Sequence, residues 1–522
     1  RTPHIYGFEL LDLRDYLGQG TALVGVVDAF WDNKGYVSPE EFRRFCSESV
    51  ALLRIEKRVF LNNERFSYPV ELAHFGKEAI KNATIYWRIK SGEEVFAEGD
   101  WYLEEIPLGK NIPVGNLELS LQNLQAPACY QIEIGISEKS IFNSWEIFVY
   151  EAEQKEPKLT TAFYTRSFSE AKEALEKGEK VIFMPYLSTL NWKCPPLSGK
   201  PVFWNAQMGP KWSRGMGLLC QEKHPALSKF PTENYQSWQW NDILSKAKGI
   251  NLEGMPEELL PIVQPIDEWN RNYKMGLIVE CNVSKGSLLL ISADLETDIE
   301  KRPVAKQLKS SIFEYVESDK FSPEAHITLE QLTKCFTNTL IMKQLKVKAD
   351  LVEYPEIDLT SMIDGDPNTN FVSSNLEYPY TIDFKWDKVI SVKGLTYMPR
   401  QNQRNHEGEI REYSVEAFEN GSWNLVTSGE FASSFDPKDI YFSKAINTSS
   451  LRFIAKNGFN KENFPIWKEN REGWCRHYED FVDSTLAVAE IALISDDEPM
   501  LHLSHNDIQY KSSTTATIEI EE

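Results

Sequence analysis

The carboxylates of Asp12 and Asp15 and the amide of Gln19 follow directly on an apolar run, Ile5 to Leu13. That run is short enough for a buried strand, and Arg14, Asp15 and a Gly18-Gln19-Gly20 turn break it. Polar groups just past the carboxyl end of a strand are where a parallel barrel mounts its substrate-facing side chains. Asp12, Asp15 and Gln19 are therefore candidate substrate contacts, the alternative being that the two carboxylates are solvated loop charges. They are not an evident catalytic pair. Catalysis by paired carboxyl groups needs them to flank the reacting bond at a defined separation, which two Asp residues three apart at a strand end do not evidently supply. Cysteine chemistry is also weakly signalled. Cys220 and His224 would share one face of a helix, but Pro225 follows at once, and a lone Cys/His spacing is as well explained by packing. Cys194 stands in Trp-Lys-Cys-Pro-Pro, which cannot form the tight Gly-flanked elbow that holds a thiolate at a helix start. No glycine-rich phosphate loop follows any expected strand.

The elements that would position these groups fall into several regimes. Ser38-Pro39-Glu40-Glu41 supplies an N-cap serine, a proline at the first helical position and an early carboxylate, so a helix follows Trp31. From about Val50 to Glu151 short alternating runs, among them Phe66 to Leu72, Ala83 to Ile89, Tyr130 to Ile136 and Trp145 to Tyr150, are separated by turns such as Ser91-Gly92. This predicts an antiparallel β-sandwich of immunoglobulin type. After a charged linker, Glu151 to Lys158, a helix over Ser167 to Lys177 is expected. Apolar strands at Lys180 to Pro185, Gly276 to Glu280 and Gly286 to Ser292 surround it, giving a small α/β sheet. The Trp238-Gln239-Trp240 cluster is expected to pack on a neighbouring domain or to shape the rim of a cleft.

Composition narrows the function. The 522 residues are too many for one core. With 78 acidic against 56 basic side chains the formal charge is −22, which argues against nucleic-acid and anionic-membrane partners and leaves neutral sugars compatible. Fourteen tryptophans exceed what core filling usually needs, so surface indoles able to stack on a pyranose are expected. The seven cysteines (46, 129, 194, 220, 281, 335 and 475) are odd in number and widely spaced, and neither a disulfide framework nor a zinc motif emerges. No apolar run is long enough for a membrane span.

The opening stretch GFELLDLRDYLGQGTALVGVVDAFWDNKGYVSPEEFRRF resembles the last barrel strand and following helix of glycoside hydrolase family 2 type enzymes, in the branch common among Bacteroidetes. The resemblance implies that residues 1–48 are the end of a (β/α)8 barrel. It places the acid/base and nucleophile glutamates after earlier strands, N-terminal to Arg1. No residue here inherits either role, so this chain alone is expected to be inactive, the catalytic barrel being a missing N-terminal partner. Family 2 enzymes carry immunoglobulin-like sandwiches beside the barrel, which fits residues 49–152. Residues 158–330 resemble the flavodoxin-like, amidotransferase-like domain of several glycoside hydrolases.

The last large segment, residues 337–496, contains MIDGDPNTNF, YTIDFKWDKVISVKGLTYMPR, EGEIREYSVEAFENGSWNLV, LRFIAK and AVAEIALI. Their order resembles a discoidin, or F5/8 type C, domain, the β-sandwich of family 32 carbohydrate-binding modules. Asp364-Gly-Asp366-Pro-Asn-Thr369 matches the loop that in this family coordinates a structural calcium together with a late glutamate, here Glu490. Such a loop offers two carboxylates, a hydroxyl and backbone carbonyls to an ion that takes six to eight oxygens. The alternative is a turn without an ion, which the same residue types also make. The family binds sugar at the loop end that carries the calcium. There Arg400, Arg404 and His406 would supply planar donors and acceptors for vicinal hydroxyls, with Trp467 and Trp474 as stacking faces. Residues 497–522 read as a tail packed on its neighbours or the start of a further strand set.

The combined reading is the C-terminal accessory region of a periplasmic or extracellular glycoside hydrolase, binding glycans through its discoidin-like domain. The alternatives are a stand-alone carbohydrate-binding protein and an adhesion or scaffolding protein.

Overall fold

The structure, a computed structural model, describes residues 13–16, 25–154, 157–191, 193–199, 215–267, 272–336, 359–363, 370–373, 378–401, 408–419, 421–459, 486–495, 508–512 and 517–518. It is mostly β, built on several sheets. The expected first strand, Ile5 to Leu13, lies outside the described residues except for Leu13. Among the described ones the opening region shows isolated bridges, Arg14 with Val27 and Val27 with Asn33, and a short helix α1 (Pro39–Arg43). The helix begins where the cap signals put it. Ser38 Oγ accepts from Glu41 N at 3.1 Å, and Glu41 Oε2 accepts from Ser38 N at 2.8 Å, closing a capping box.

The next unit is a sandwich of eight strands: β1 (Ser49–Leu53), β2 (Val59–Leu61), β3 (Arg65–His74), β4 (Ile80–Ser91), β5 (Glu94–Ile106), β6 (Gly109–Ser120), β7 (Ala128–Ile136) and β8 (Ile141–Tyr150). A three-stranded sheet, β1-β3-β6, faces a five-stranded one, β2-β8-β7-β4-β5. Alternate residues point into the shared core, where Phe66, Ile85, Leu117, Ile132 and Ile147 are wholly buried. Gly92, at φ +57°, takes the first turn position between β4 and β5, where a side chain would strain a two-residue hairpin loop.

The third unit holds β9 (Ala162–Thr165), α2 (Phe168–Lys177), β10 (Lys180–Phe183), β11 (Gly217–Cys220), α3 (Trp240–Leu244), β12 (Ile250–Asn251), β13 (Val263–Ile266), β14 (Met275–Gly276), β15 (Ile278–Val283), β16 (Gly286–Ile291), α4 (Pro303–Glu317), β17 (His326–Ile327) and α5 (Leu329–Thr333). Helix α2 is capped by Ser167 and closed by Gly178 at φ +91°, and its buried stripe is Ala171, Ala174 and Leu175. The sheet order is β11-β13-β15-β16-β10-β9, with β17 pairing β15. A flavodoxin-like sheet would be parallel. Here β9, β10 and β16 are parallel, whereas β16, β15, β13 and β11 run antiparallel to one another. The physical reason is the two-residue turn Ser284-Lys285 between β15 and β16, with Ser284 at φ +55°. Strands joined that tightly can only be antiparallel, since a parallel pair needs a long crossover.

Glu317, at the end of α4, fastens the preceding linker to this unit. Its carboxylate accepts from Thr160 Oγ1 at 2.6 Å and from the amides of Thr160, Thr161 and Ala162 at 2.9–3.0 Å. Burial pushes the carboxyl up, but these four donors outweigh it and bring it down to about 2. A depressed carboxyl stabilises the fold fully above its unfolded value and loses that contribution as pH falls through the folded one. Glu317→Gln is expected to lower stability by about 1 kcal/mol, the low end for charged hydrogen bonds on a partly solvated group. The deficit should be constant from pH 7 to 4.5 and shrink towards pH 2. Urea midpoints of the two proteins across that range check this, and a deficit independent of pH would refute it.

The C-terminal unit is a discoidin-like β-sandwich of β18 (Phe371–Val372), β19 (Tyr380–Pro399), β20 (Ile410–Glu419), β21 (Ser422–Glu430), β22 (Lys438–Gly458) and β23 (Ala487–Ser495), with β24 (Ile508–Ser512) and β25 (Thr517–Ile518) added at one side. The long strands β19 and β22 pair with each other along most of their length and contribute to both layers. Their outer partners are β20, on the later half of β22, and β23, on the later half of β19. Register breaks between Lys385 and Ile390 and between Val392 and Gly394 allow this change of partner. At Gly394 a Cβ would stand 2.1 Å from Ile440 O, so only glycine permits the strands to approach there. Between the layers lie Tyr380, Ile382, Val392, Tyr397, Val415, Leu451, Phe453 and Val488.

Candidate functional site

Three segments of the C-terminal unit spring from one short stretch of backbone, Leu486 to Val488. Phe371 pairs with Val488 and Val372 with Ala487, and Ser373 N donates to Leu486 O at 2.8 Å, which roots the segment after residues 364–369. Pro399 also pairs with Val488, while Ala487 N donates to Gly408 O at 3.0 Å, so both ends of residues 400–408 arrive at the same place. Phe459 N donates to Glu409 O at 3.2 Å, bringing in the start of the insert that ends at Leu486. Gly408 is required at this crossing. It sits at φ +78°, and a Cβ would lie 2.5 Å from Ala487.

The base of the 400–408 segment is held by buried polar contacts that the sequence reading missed. Gln401 Nε2 donates to Pro399 O and Phe435 O, both at 2.8 Å. Glu409, 2% exposed, accepts from Ser433 Oγ at 2.8 Å and Ser434 N at 2.9 Å, with Lys438 Nζ 3.5 Å away. Burial pulls the Lys438 ammonium below its ordinary value despite that partner. A charged residue directly after Gly408 and ahead of an apolar strand was the available signal.

Glu490 is fully buried on β23 and pairs with Met398 across a bulge that leaves Ala489 unpaired. Bulges of this kind re-aim side chains beside binding sites. A buried carboxylate demands a cation or donors around it. Asp364, Asp366 and Thr369 lie outside the described residues, but Ile363 and Phe371, which bracket them, are both buried in the core, and Phe371 pairs two residues from Glu490.

Of the sugar candidates, Arg400 follows β19 directly and is half-buried at the root of its segment. Arg404, His406, Trp467 and Trp474 lie outside the described residues, as do Asp12 and Gln19. Trp423 offers no free face on one side, because the Arg452 guanidinium stands 4.2 Å from its ring centroid while binding Asp383 bidentately at 2.6 and 2.9 Å. Asp15 is buried. Its carboxylate accepts from Lys34 Nζ at 2.6 Å and Gly25 N at 2.8 Å, and the Lys34 hydrogen bond holds it below the usual carboxylate range. That is the arrangement of a local brace.

The cysteine readings resolve clearly. Cys220 lies buried on β11 with its thiol pushed up to about 12, chiefly by burial. The ring of His224 turns elsewhere, its Nδ1 accepting from Ala226 N at 3.2 Å and its Nε2 3.7 Å from Glu280. Burial raises the Cys194 thiol to about 11, and its sulfur accepts from Asn251 N at 3.4 Å. A thiol held protonated by burial is a poor nucleophile. Among the described residues no helix is long and apolar enough to cross a membrane.

Residues 352–471 match the family model described as F5/8 type C domain. Residues 64–151 and 163–337 match two further models, each described as a domain of unknown function (DUF8488 and DUF8487). Comparison with curated proteins gives no match. Among solved structures the chain is similar to CBM32-3 from a family 31 glycoside hydrolase of Clostridium perfringens, at 21% identity and a TM-score of 0.22 over 29% of this chain and 90% of that one. It is also similar to the family 32 carbohydrate-binding module from C. perfringens NanJ in complex with galactose (19%, TM-score 0.21, 28% and 89%). A third is the F5/8 type C domain of a Bacteroides fragilis protein (14%, TM-score 0.21, 28% and 89%).

Proposed function

We propose that the C-terminal unit binds a glycan at the loop end rooted on Leu486 to Val488, and that the chain is the accessory region of a glycoside hydrolase of the family 2 type. In this reading it works outside the cytoplasm beside a catalytic barrel, with an immunoglobulin-like strut and an amidotransferase-like unit. The observation that carries the reading is the common root of the segments bearing Asp364, Arg404 and Trp474. The described ends of those segments, far apart in sequence, share that root. Arg400, Arg404 and His406 offer planar hydrogen-bonding groups there, and Trp467 and Trp474 offer indole faces. Asp364, Asp366, Thr369 and Glu490 would hold a calcium ion, which when bound neutralises the buried carboxylate and clamps the loop that carries the first three.

The test is calorimetric titration of the full chain with galactose- and N-acetylhexosamine-terminated oligosaccharides, beside Arg404→Ala and Trp474→Ala. Binding is expected to be weak, because a shallow polar site buries little area. Each change should weaken it by about tenfold or more, which is 1.4 kcal/mol. Calcium chelation should lower the melting temperature of the starting protein but not of Asp364→Ala. Affinity indifferent to both loop changes, or no glycan bound at all, would overturn the binding site, and melting indifferent to the chelator would overturn the ion.

A further inference from the structure

We propose that the cleft between the β-sandwich and the α/β unit is a second saccharide site, taking a neutral mono- or disaccharide independently of the C-terminal loops. The cleft measures about 520 Å³, the size of a small-molecule pocket. One wall is β2 with the linker that leaves the sandwich. The other is the Trp238 loop and the start of α4.

Its charges cancel within the wall. Lys57 pairs with Glu64, Lys306 with Glu300 at 2.7 Å, and Arg302 Nε reaches both oxygens of Asp242 at 2.8 and 3.0 Å. The two remaining charges, Glu151 and Lys301, are opposite in sign. A net anion or cation would therefore meet no matching field, whereas a ligand rich in hydroxyls can donate to the carboxylates and accept from the cations. The part-exposed Asp242 carboxylate and the Gln154 amide each offer two polar atoms, which suits vicinal hydroxyls.

Two observations point to an occupant. Trp238 remains 60% exposed on the cleft wall although Arg58 lies 5.7 Å from its ring centroid, which leaves a large apolar face for the C–H side of a pyranose. Gln154 Nε2 donates to Pro303 O at 3.3 Å, yet its Oε1 is buried with no hydrogen-bond partner among the described residues. An unpaired buried acceptor is costly, and a turn of the amide into the cleft would let a ligand hydroxyl satisfy it.

The experiment titrates the full chain with lactose, cellobiose and galacturonic acid, read by tryptophan fluorescence and ligand-observed NMR. The proteins are the parent chain, Arg404→Ala, Trp238→Ala and Gln154→Leu, with melting curves as the folding control. Trp238 is exposed enough for its removal to leave the fold intact. A neutral disaccharide should bind Arg404→Ala as it binds the parent chain at this cleft, and should bind Trp238→Ala and Gln154→Leu about tenfold or more weakly. Galacturonic acid should bind no better than the neutral sugars. Saccharide binding abolished by Arg404→Ala alone would assign all of it to the C-terminal loops and overturn the second site. Binding unchanged in Trp238→Ala, or confined to the acid, would overturn it as well. Binding that Arg404→Ala leaves wholly unchanged while Trp238→Ala abolishes all of it would instead overturn the reading of the C-terminal unit.

Discussion

Tyr150→Ala is expected to destabilise the sandwich and the α/β unit together, by about 3–5 kcal/mol, the cost of emptying a large buried aromatic site. Tyr150 ends the last strand of the sandwich, but its ring is wholly buried in the core of the neighbouring unit, beside Phe148 and among Trp240, Leu227 and Val304. Its hydroxyl donates to Gln239 Oε1, and Gln239, 1% exposed, donates onward to Pro231 O. Burial raises the phenol well above its ordinary value, so it stays a donor throughout the accessible pH range. Tyr150→Phe keeps the packing and removes only that donor, so it should cost about 1–3 kcal/mol, the desolvation of an acceptor left unpaired. Urea unfolding followed by circular dichroism and tryptophan fluorescence should show one shared transition moving in both variants. An α/β unit that melts at its original midpoint in Tyr150→Ala would show that the two cores are energetically separate.

Lys438→Ala should destabilise the C-terminal unit by about 3–5 kcal/mol, since deleting one partner of a buried ion pair strands the other charge. Lys438 Nζ donates to Ala432 O at 2.9 Å, Ser434 O at 3.0 Å and Ser434 Oγ at 3.1 Å, all beside the buried Glu409. The same cluster anchors the 400–408 segment, so the substitution should also weaken the glycan binding proposed for that loop end. Adding Glu409→Gln to Lys438→Ala should recover part of the loss, because the stranded charge is then gone. A change below about 1 kcal/mol in Lys438→Ala, of the kind seen for exposed pairs, would show that water reaches the site.

Local chemistry was legible wherever it was self-contained. The Ser38 cap of α1, the Ser167 cap and extent of α2, and the alternating strands within β3, β4, β7 and β8 could be read directly, because each depends on neighbours in sequence. Strands β5 and β6 escaped notice. The first is dense in charge, and the second carries Gly109, Pro113 and Gly115, so neither shows the apolar alternation of its partners. The direction of β15 was hidden for another reason. Ser284-Lys285 has no glycine or asparagine to announce a two-residue turn, and Ser284 takes the left-handed conformation regardless. At the candidate site the Asp364 loop and the Arg400 to His406 loop were visible as motifs. Their meeting at Leu486 to Val488 was not, since it is a product of β-strand order. Glu409 and Lys438, twenty-nine positions apart, meet because Lys438 pairs with Tyr397 on β19 and the Tyr397 hydroxyl accepts from Ile410 N, next to Glu409.

The burial of Phe148 and Tyr150 in the adjoining core also bears on how such chains are shuffled between genes. The matched families are drawn as two stretches, 64–151 and 163–337, which suggests a natural crossover point in the linker between them. A recombinant joined there would inherit a sandwich whose last strand presents two aromatic rings to an unfamiliar neighbour, and an α/β unit with a vacancy of matching shape. Selection should therefore transmit the two stretches as one cassette. The C-terminal unit has its own closed core, and among the described residues a half-exposed ion pair, Lys193 with Asp439 at 3.7 Å, ties it to the rest. It is the part of this chain that recombination can exchange without opening either of the other two cores.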